Sequence, residues 1–169
     1  MDQLIESFPF GAVFAAAAAV ACYRTVVLQS RGRTLKLWQL SIAPFFGGVA
    51  GATMLYRASL ATPCLAAWSL VLIGGAVIGA ATVRSVPLQV DHVFRLIRVN
   101  WGMDGALAAL VILLGACAGA LFGVFGNNML VWACATAIAA GSCAGLLGGR
   151  AWALGKRVLY AVDNSLAGS

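Results

Sequence analysis

Along most of this chain apolar residues do not alternate with polar ones. They run together in blocks of about twenty, separated by short polar or basic stretches. The blocks cover 8–28, 37–56, 65–83, 103–125 and 129–149. A membrane-crossing helix needs about 20 apolar residues to cover about 30 Å of hydrocarbon. The last two blocks are the plainest: no charged residue stands between Asp104 and Arg150, and only Gly126-Asn127-Asn128 interrupts them. The pattern predicts an all-α fold: a polytopic bundle of five transmembrane helices forming one integral membrane domain over 1–169. Residues 150–169 are read as a cytoplasmic tail. Pro44 falls inside the second block and is expected to kink it, which neighbouring helices tolerate in lipid.

The longest connection, 84–100, has a pattern of its own. Val86, Leu88 and Val90 alternate with polar or turn residues as a short strand does, and Phe94 and Leu96 could return as a second strand after Asp91-His92. The competing reading is an interfacial helix capped by Asp91, with Phe94, Ile97 and Trp101 dipping into lipid and Arg95 and Arg98 snorkelling. From His92 onward the helix is the preferred reading.

Composition strengthens the membrane assignment. The chain is 62% hydrophobic and 9% charged, against about 45–50% and about 25% in globular domains. Its net charge of +6 does not imply nucleic acid, because the basic residues sit at block ends, where they set orientation and meet anionic headgroups. Lysine plus arginine, counted from the N-terminal segment through successive connections to the tail, gives 0, 4, 1, 3, 0 and 3. That alternation places the N-terminus outside and the C-terminus in the cytoplasm. The N-terminus carries Asp2 and Glu6 where a cleavable signal peptide would be basic.

Small residues recur at helical spacing: Gly47-x3-Gly51, Gly75-x3-Gly79, Gly115-x3-Gly119-x3-Gly123 and Gly141-x3-Gly145. Lipid gives helices no hydrophobic reason to associate, so close backbone approach matters. Gly115, Gly119, Gly123, Gly141 and Gly145 are the candidate packing residues. They serve either packing within the chain or an interface with a second copy or partner, for which the fourth block is the first candidate. Ala108, on the same helix, is expected to face lipid. Gly75-x3-Gly79-x4-Arg84 and Gly141-x3-Gly145-x4-Arg150 share one spacing, as two helical hairpins of like orientation would.

Candidate chemistry is sparse. Asp104 is the one acid near hydrocarbon, and intramembrane acids are functional candidates by default. Its place beside Trp101 and Gly102 suggests an interfacial helix cap, with Arg150 as its charge partner. The five cysteines form no CxxC pair and no metal spacing. Cys64 and Cys134 fall near the outer face, where disulfides are permitted; a bridge between them requires the third and fifth spans to be neighbours. Cys64 is expected to be the cysteine most open to reagent from outside, and Cys22, Cys117 and Cys143 to stay reduced. His92, the single histidine, reads as a solvated surface residue. No nucleophile motif, phosphate loop or paired carboxylate appears, so the chain is expected to be no enzyme and to hold no cofactor or metal.

Val90-Asp91, then Arg98-Val99-Asn100-Trp101 leading into an apolar helix, and the later Gly145-Leu146-Leu147-Gly148-Gly149-Arg150, resemble a family of small, uncharacterised bacterial inner-membrane proteins, a domain of unknown function. The resemblance spans residues 65–155 and implies a membrane helix bundle with a basic surface segment between spans; it implies no activity. The function expected is that of an accessory or structural subunit in the lipid bilayer, packing with itself or with a larger membrane complex. The alternative is a transporter or channel component for a small or apolar substrate; mid-span polar residues are few (Thr53, Ser69, Thr136, Ser142), which disfavours ion coupling.

Overall fold

The computed structural model describes residues 10–30, 34–57, 62–83, 88–91, 96–99, 103–125 and 129–160. Five helices carry the fold: α1 Phe10–Ser30, α2 Ile42–Arg57, α3 Thr62–Thr82, α4 Met103–Phe125 and α5 Met129–Val158. Three stretches, Gly11–Gln29, Pro63–Thr82 and Val131–Val158, are long and apolar enough to cross a membrane. Their outward faces carry large apolar side chains, among them Phe14, Leu70 and Val131 at 58%, 71% and 66% exposure. A water-soluble protein would bury such residues, whereas lipid accepts them.

The interior is built from small side chains. On α1, Ala12, Ala15, Ala19, Cys22 and Val26 recur every three or four residues and are all buried, forming one helical face. From Ala15 onward they pack against Ala43, Ala50 and Met54 of α2, Ala109, Ile112 and Ala116 of α4, and Ala137 and Ala140 of α5. Short side chains bring helix backbones close, and that closeness replaces the solvent-driven attraction missing in lipid.

The chain is mostly helical, as expected, but helix is not its only element. Three short strands, β1 Thr34–Lys36, β2 Leu88–Asp91 and β3 Leu96–Val99, form an antiparallel sheet in the order β1-β3-β2. The preference for an interfacial helix after His92 is therefore corrected over 96–99. The spacing of Phe94, Ile97 and Trp101 suits a helix, but the partner that decides the matter lies far away in sequence: Leu35 pairs with Ile97, and Val90 pairs with Ile97 on the other side. These three side chains are buried and packed with Leu40, Val83, Leu154 and Val158. The sheet thus has its own apolar core, roofed by the last turns of α5. Phe94, His92 and Trp101 lie outside the described residues.

A 3₁₀ turn, Leu37–Ser41, leads from β1 into α2. Pro44 is the third residue of α2, in the first turn, where its missing N–H would have had no intrahelical partner. The expected mid-helix kink is corrected accordingly. α5 does not stop at Gly149 but continues to Val158. Its 30 residues make it about 45 Å long, which exceeds the hydrocarbon thickness of about 30 Å.

The two ends of the bundle differ. The sheet, the ends of α1, α3 and α5, and the start of α2 meet at one end. At the other, Cys64 and Cys134, near the starts of α3 and α5, form a disulfide with Cα atoms 5.9 Å apart, within the usual range for a bridge. Cys64 is 4% exposed. The expectation that it is the cysteine most open to reagent is corrected, because its sulfur is both buried and bonded. Cys22, Cys117 and Cys143 are free.

Candidate functional site: an arginine-centred seam at the sheet end

α3 docks chiefly on α5, and the seam is made by glycine. A Cβ placed on Gly75 would overlap the backbone of Ser142, and one on Gly79 the backbone of Leu146. From the other side, a Cβ on Gly145 would overlap Leu72 and one on Gly149 would overlap Ala76, again at backbone atoms. The two helices therefore cross backbone to backbone, with Gly75-x3-Gly79 against Gly145-x3-Gly149. Gly141 has a different role: a Cβ there would stand 2.6 Å from the indole nitrogen of Trp68. The Trp68 Nε1–H is buried with no hydrogen-bond partner among the described residues.

The α4 stripe faces inward too. Gly119 approaches the Thr136 hydroxyl of α5, where a Cβ would stand 3.3 Å away, and Gly115 lies near the Thr136 carbonyl at 3.8 Å. Both therefore pack within the chain. Gly123 lies in the part of α4 whose side-chain surroundings are outside the described residues. Ala108 is 8% exposed and belongs to the core, which corrects its expected lipid-facing position. α4 winds inward there because its buried residues, Ala108, Ala109, Ile112 and Ala116, follow the helical repeat.

At the sheet end of the seam, three helices converge on Arg150. Its Nη2 donates to Asp104 Oδ2 at 3.0 Å, and its Nε donates to Thr82 Oγ1 at 3.0 Å. The Thr82 hydroxyl in turn donates to the Gly79 carbonyl at 2.9 Å. One guanidinium thus ties α5 to the first turn of α4 and the last turn of α3. Two turns further on, Arg157 Nη1 donates to the Val83 carbonyl, satisfying a helix-end oxygen that would otherwise lack an intrahelical donor. The arginine side chain is 8% exposed and the Asp104 side chain 71%. The pair is asymmetric: a buried cation met by an exposed carboxylate. Asp104 also lies in the first turn of α4, where the helix dipole favours a negative charge. A third tie joins α1 to the 3₁₀ turn, where the buried Gln29 Nε2 donates to the Gln39 carbonyl at 2.8 Å.

The structure brings Asp104 and Arg150 together and sets Gly145 in the closest helix crossing. The sequence reading passed over Thr82, Trp68, Gly149 and Arg157. Gly149 carried a signal, since Gly145-x3-Gly149 has the same spacing as the other pairs; the other three gave none. Among the described residues no group of three or more His, Cys, Asp or Glu side chains comes together. Comparison with known proteins finds no matching family model, no matching curated protein and no matching solved structure.

Proposed function

We propose that this chain is a five-span integral protein of the bacterial inner membrane, N-terminus outside and C-terminus in the cytoplasm, acting as an accessory or structural subunit that packs with itself or within a larger membrane complex. The observation that carries the structural role is how little room the described interior leaves. A cavity there, between Ala15, Met54, Ala116, Gly119, Ala133 and Thr136, holds about 10 Å³, at the lower limit for one water. The one hydroxyl facing it, on Thr136, is turned back to its own helix at the Trp132 carbonyl, 2.9 Å away. A pathway for ions or polar solutes would need polar groups offered along it.

Aromatic positions support the spans. Trp132 and Trp152 of α5 are 45% and 67% exposed, and the twenty residues separating them amount to about 30 Å of helix, the thickness of the hydrocarbon layer. Tyr56 sits exposed near the Trp132 end, and Trp38 near the Trp152 end, as the two interfacial belts of a membrane protein require. α2 alone is 16 residues, about 24 Å; the five-residue 3₁₀ turn before it adds about 10 Å. Orientation rests on two independent signals. Lys36 and Arg98 of the basic connections lie in the sheet, and the disulfide lies at the opposite end, where an oxidising periplasm would form it.

A reporter active only in the periplasm should be active when fused after Asn127 and silent after Ser169; the reverse would overturn the orientation. Light scattering on protein purified in mild detergent should give a protein mass above the 17.4 kDa of one chain. A strict monomer that also conducts solute across reconstituted vesicles would replace the accessory reading with transport.

A further inference from the structure

A second hollow lies outside the bundle, on its flank at the sheet end. A groove of about 430 Å³ runs between the 3₁₀ turn and start of α2 on one side and the last turns of α5 on the other. That volume falls within the range of about 300–1,000 Å³ typical of small-molecule sites. Gly148, Trp152 and Gly155, with Leu159 beyond, follow one stripe of α5, and Leu40 and Pro44 form the opposite wall. Gly148 makes the floor, where a Cβ would stand 3.7 Å from the Pro44 Cβ. Gly155 gives depth, because a Cβ there would meet nothing within 4 Å.

The chemistry of the walls restricts the occupant. Besides the Trp152 indole, the described lining offers one polar side chain, Ser41, and its hydroxyl already donates to the Trp38 carbonyl at 2.7 Å. Trp152 stands on the wall with its indole exposed, and the Lys156 ammonium lies 5.6 Å from its ring centroid. The groove is therefore apolar along its length with a cation at its rim. Trp38 and Trp152 set it at the depth where chains meet headgroups. Basic rims on pockets between spanning helices, on the cytoplasmic side, suit anionic phospholipid headgroups.

We propose that this groove is a binding site for one anionic phospholipid, an acyl chain lying along the Gly148–Gly155 stripe and the phosphate meeting Lys156. The site rests on the membrane reading of the bundle. It would hold a lipid in fixed register against α2 and α5, distinct from the exchanging lipids on the outer face of α3.

The test uses the full chain purified in mild detergent and offered phosphatidylglycerol or phosphatidylcholine, with retained lipids counted by native mass spectrometry. The parent should keep one phosphatidylglycerol in preference to phosphatidylcholine. Gly155→Leu, whose Cβ enters open space and whose longer side chain occupies the groove, should abolish retention of both. Gly74→Leu, also placed in open space but on α3, should retain lipid as the parent does. Lys156→Gln should lower the preference for phosphatidylglycerol about fivefold, the factor one cation contributes near an anionic surface, while phosphatidylcholine still binds. Retention unchanged by Gly155→Leu would mean surface lipid only and would overturn the site. So would a fall in protein mass on light scattering for Gly155→Leu with lipid retention intact, since the groove would then be an interface between copies. Failure of the membrane reading itself would look different: the parent would stay in solution without detergent.

Discussion

Adjacent glycines on α3 offer a test in which nearly everything cancels except the helix crossing. Gly75 faces Ser142 and Leu146 of α5, and an added Cβ there would overlap backbone atoms that no rotamer change can move. Gly74, one residue earlier, has nothing within 4 Å of the same point. Replacing either with alanine removes backbone freedom from the helix and improves propensity by about 1 kcal/mol. That gain is common to both variants and drops out of their difference. What remains is the overlap, and overpacking a tight contact costs about 1–3 kcal/mol. Gly74→Ala should therefore match or slightly exceed the parent in stability, and Gly75→Ala should fall below Gly74→Ala by that amount. At about 2–4 °C per kcal/mol for a chain of this length, the melting midpoints should separate by several degrees. Intrinsic tryptophan fluorescence on detergent-purified protein reads this directly, because Trp68 sits beside Gly141 on the same seam. Midpoints that coincide would refute the glycine-to-backbone crossing of α3 and α5.

Three further outcomes follow from the packing at the two ends. Asp104→Ala should destabilise more than Arg150→Met, because the first strands a buried guanidinium while the second leaves an exposed carboxylate. A hydrogen bond to a charged group is worth about 1.5–3 kcal/mol, and equal thermal midpoints for the two variants would show that the pair is not coupled as described. Ile97→Ala removes the side chain on which both flanking strands converge and should cost about 2–5 kcal/mol; loss confined to a few tenths on the melt would place Ile97 outside a packed core. Cys64 and Cys134 should resist a membrane-impermeant thiol reagent on intact cells until a reductant is added, and labelling of Cys64 without reduction would contradict the bridge.

The helices were legible because their cause is local. Phe10–Ser30 and Met103–Phe125 differ by two residues or fewer from the apolar blocks, since lipid-facing and core-facing positions are both apolar and only the ends change character. The sheet was not legible, because its cause is distant. Thr34-Leu35-Lys36 is too short to show a period, and what makes it a strand is Ile97, some sixty residues away. The same distance explains the misread segment after His92. Asp104 and Arg150 could be paired from sequence because both end apolar blocks on the same predicted side. The glycine faces could not be ranked, because spacing shows that a stripe exists and not what lies opposite; Gly115 and Gly119 face the Thr136 region, while the closest approach belongs to Gly145 and Gly149.

The strand order β1-β3-β2 has a consequence for how the chain is made. The central strand, β3, is the last to leave the ribosome, and Lys36 of β1 waits for Leu96. At about 5–20 residues per second, the sixty intervening residues take on the order of 3–12 s. During that interval β1 is an open edge, and α3 has been synthesised with its glycine face bare, since α5 comes later still. Both closures that define the finished molecule depend on segments made late: the sheet on β3, Leu96–Val99, and the helix crossing on α5, from Met129 onward. A nascent chain stalled before Met129 would thus leave the Gly75 and Gly79 face of α3 without the backbone that covers it in the finished molecule.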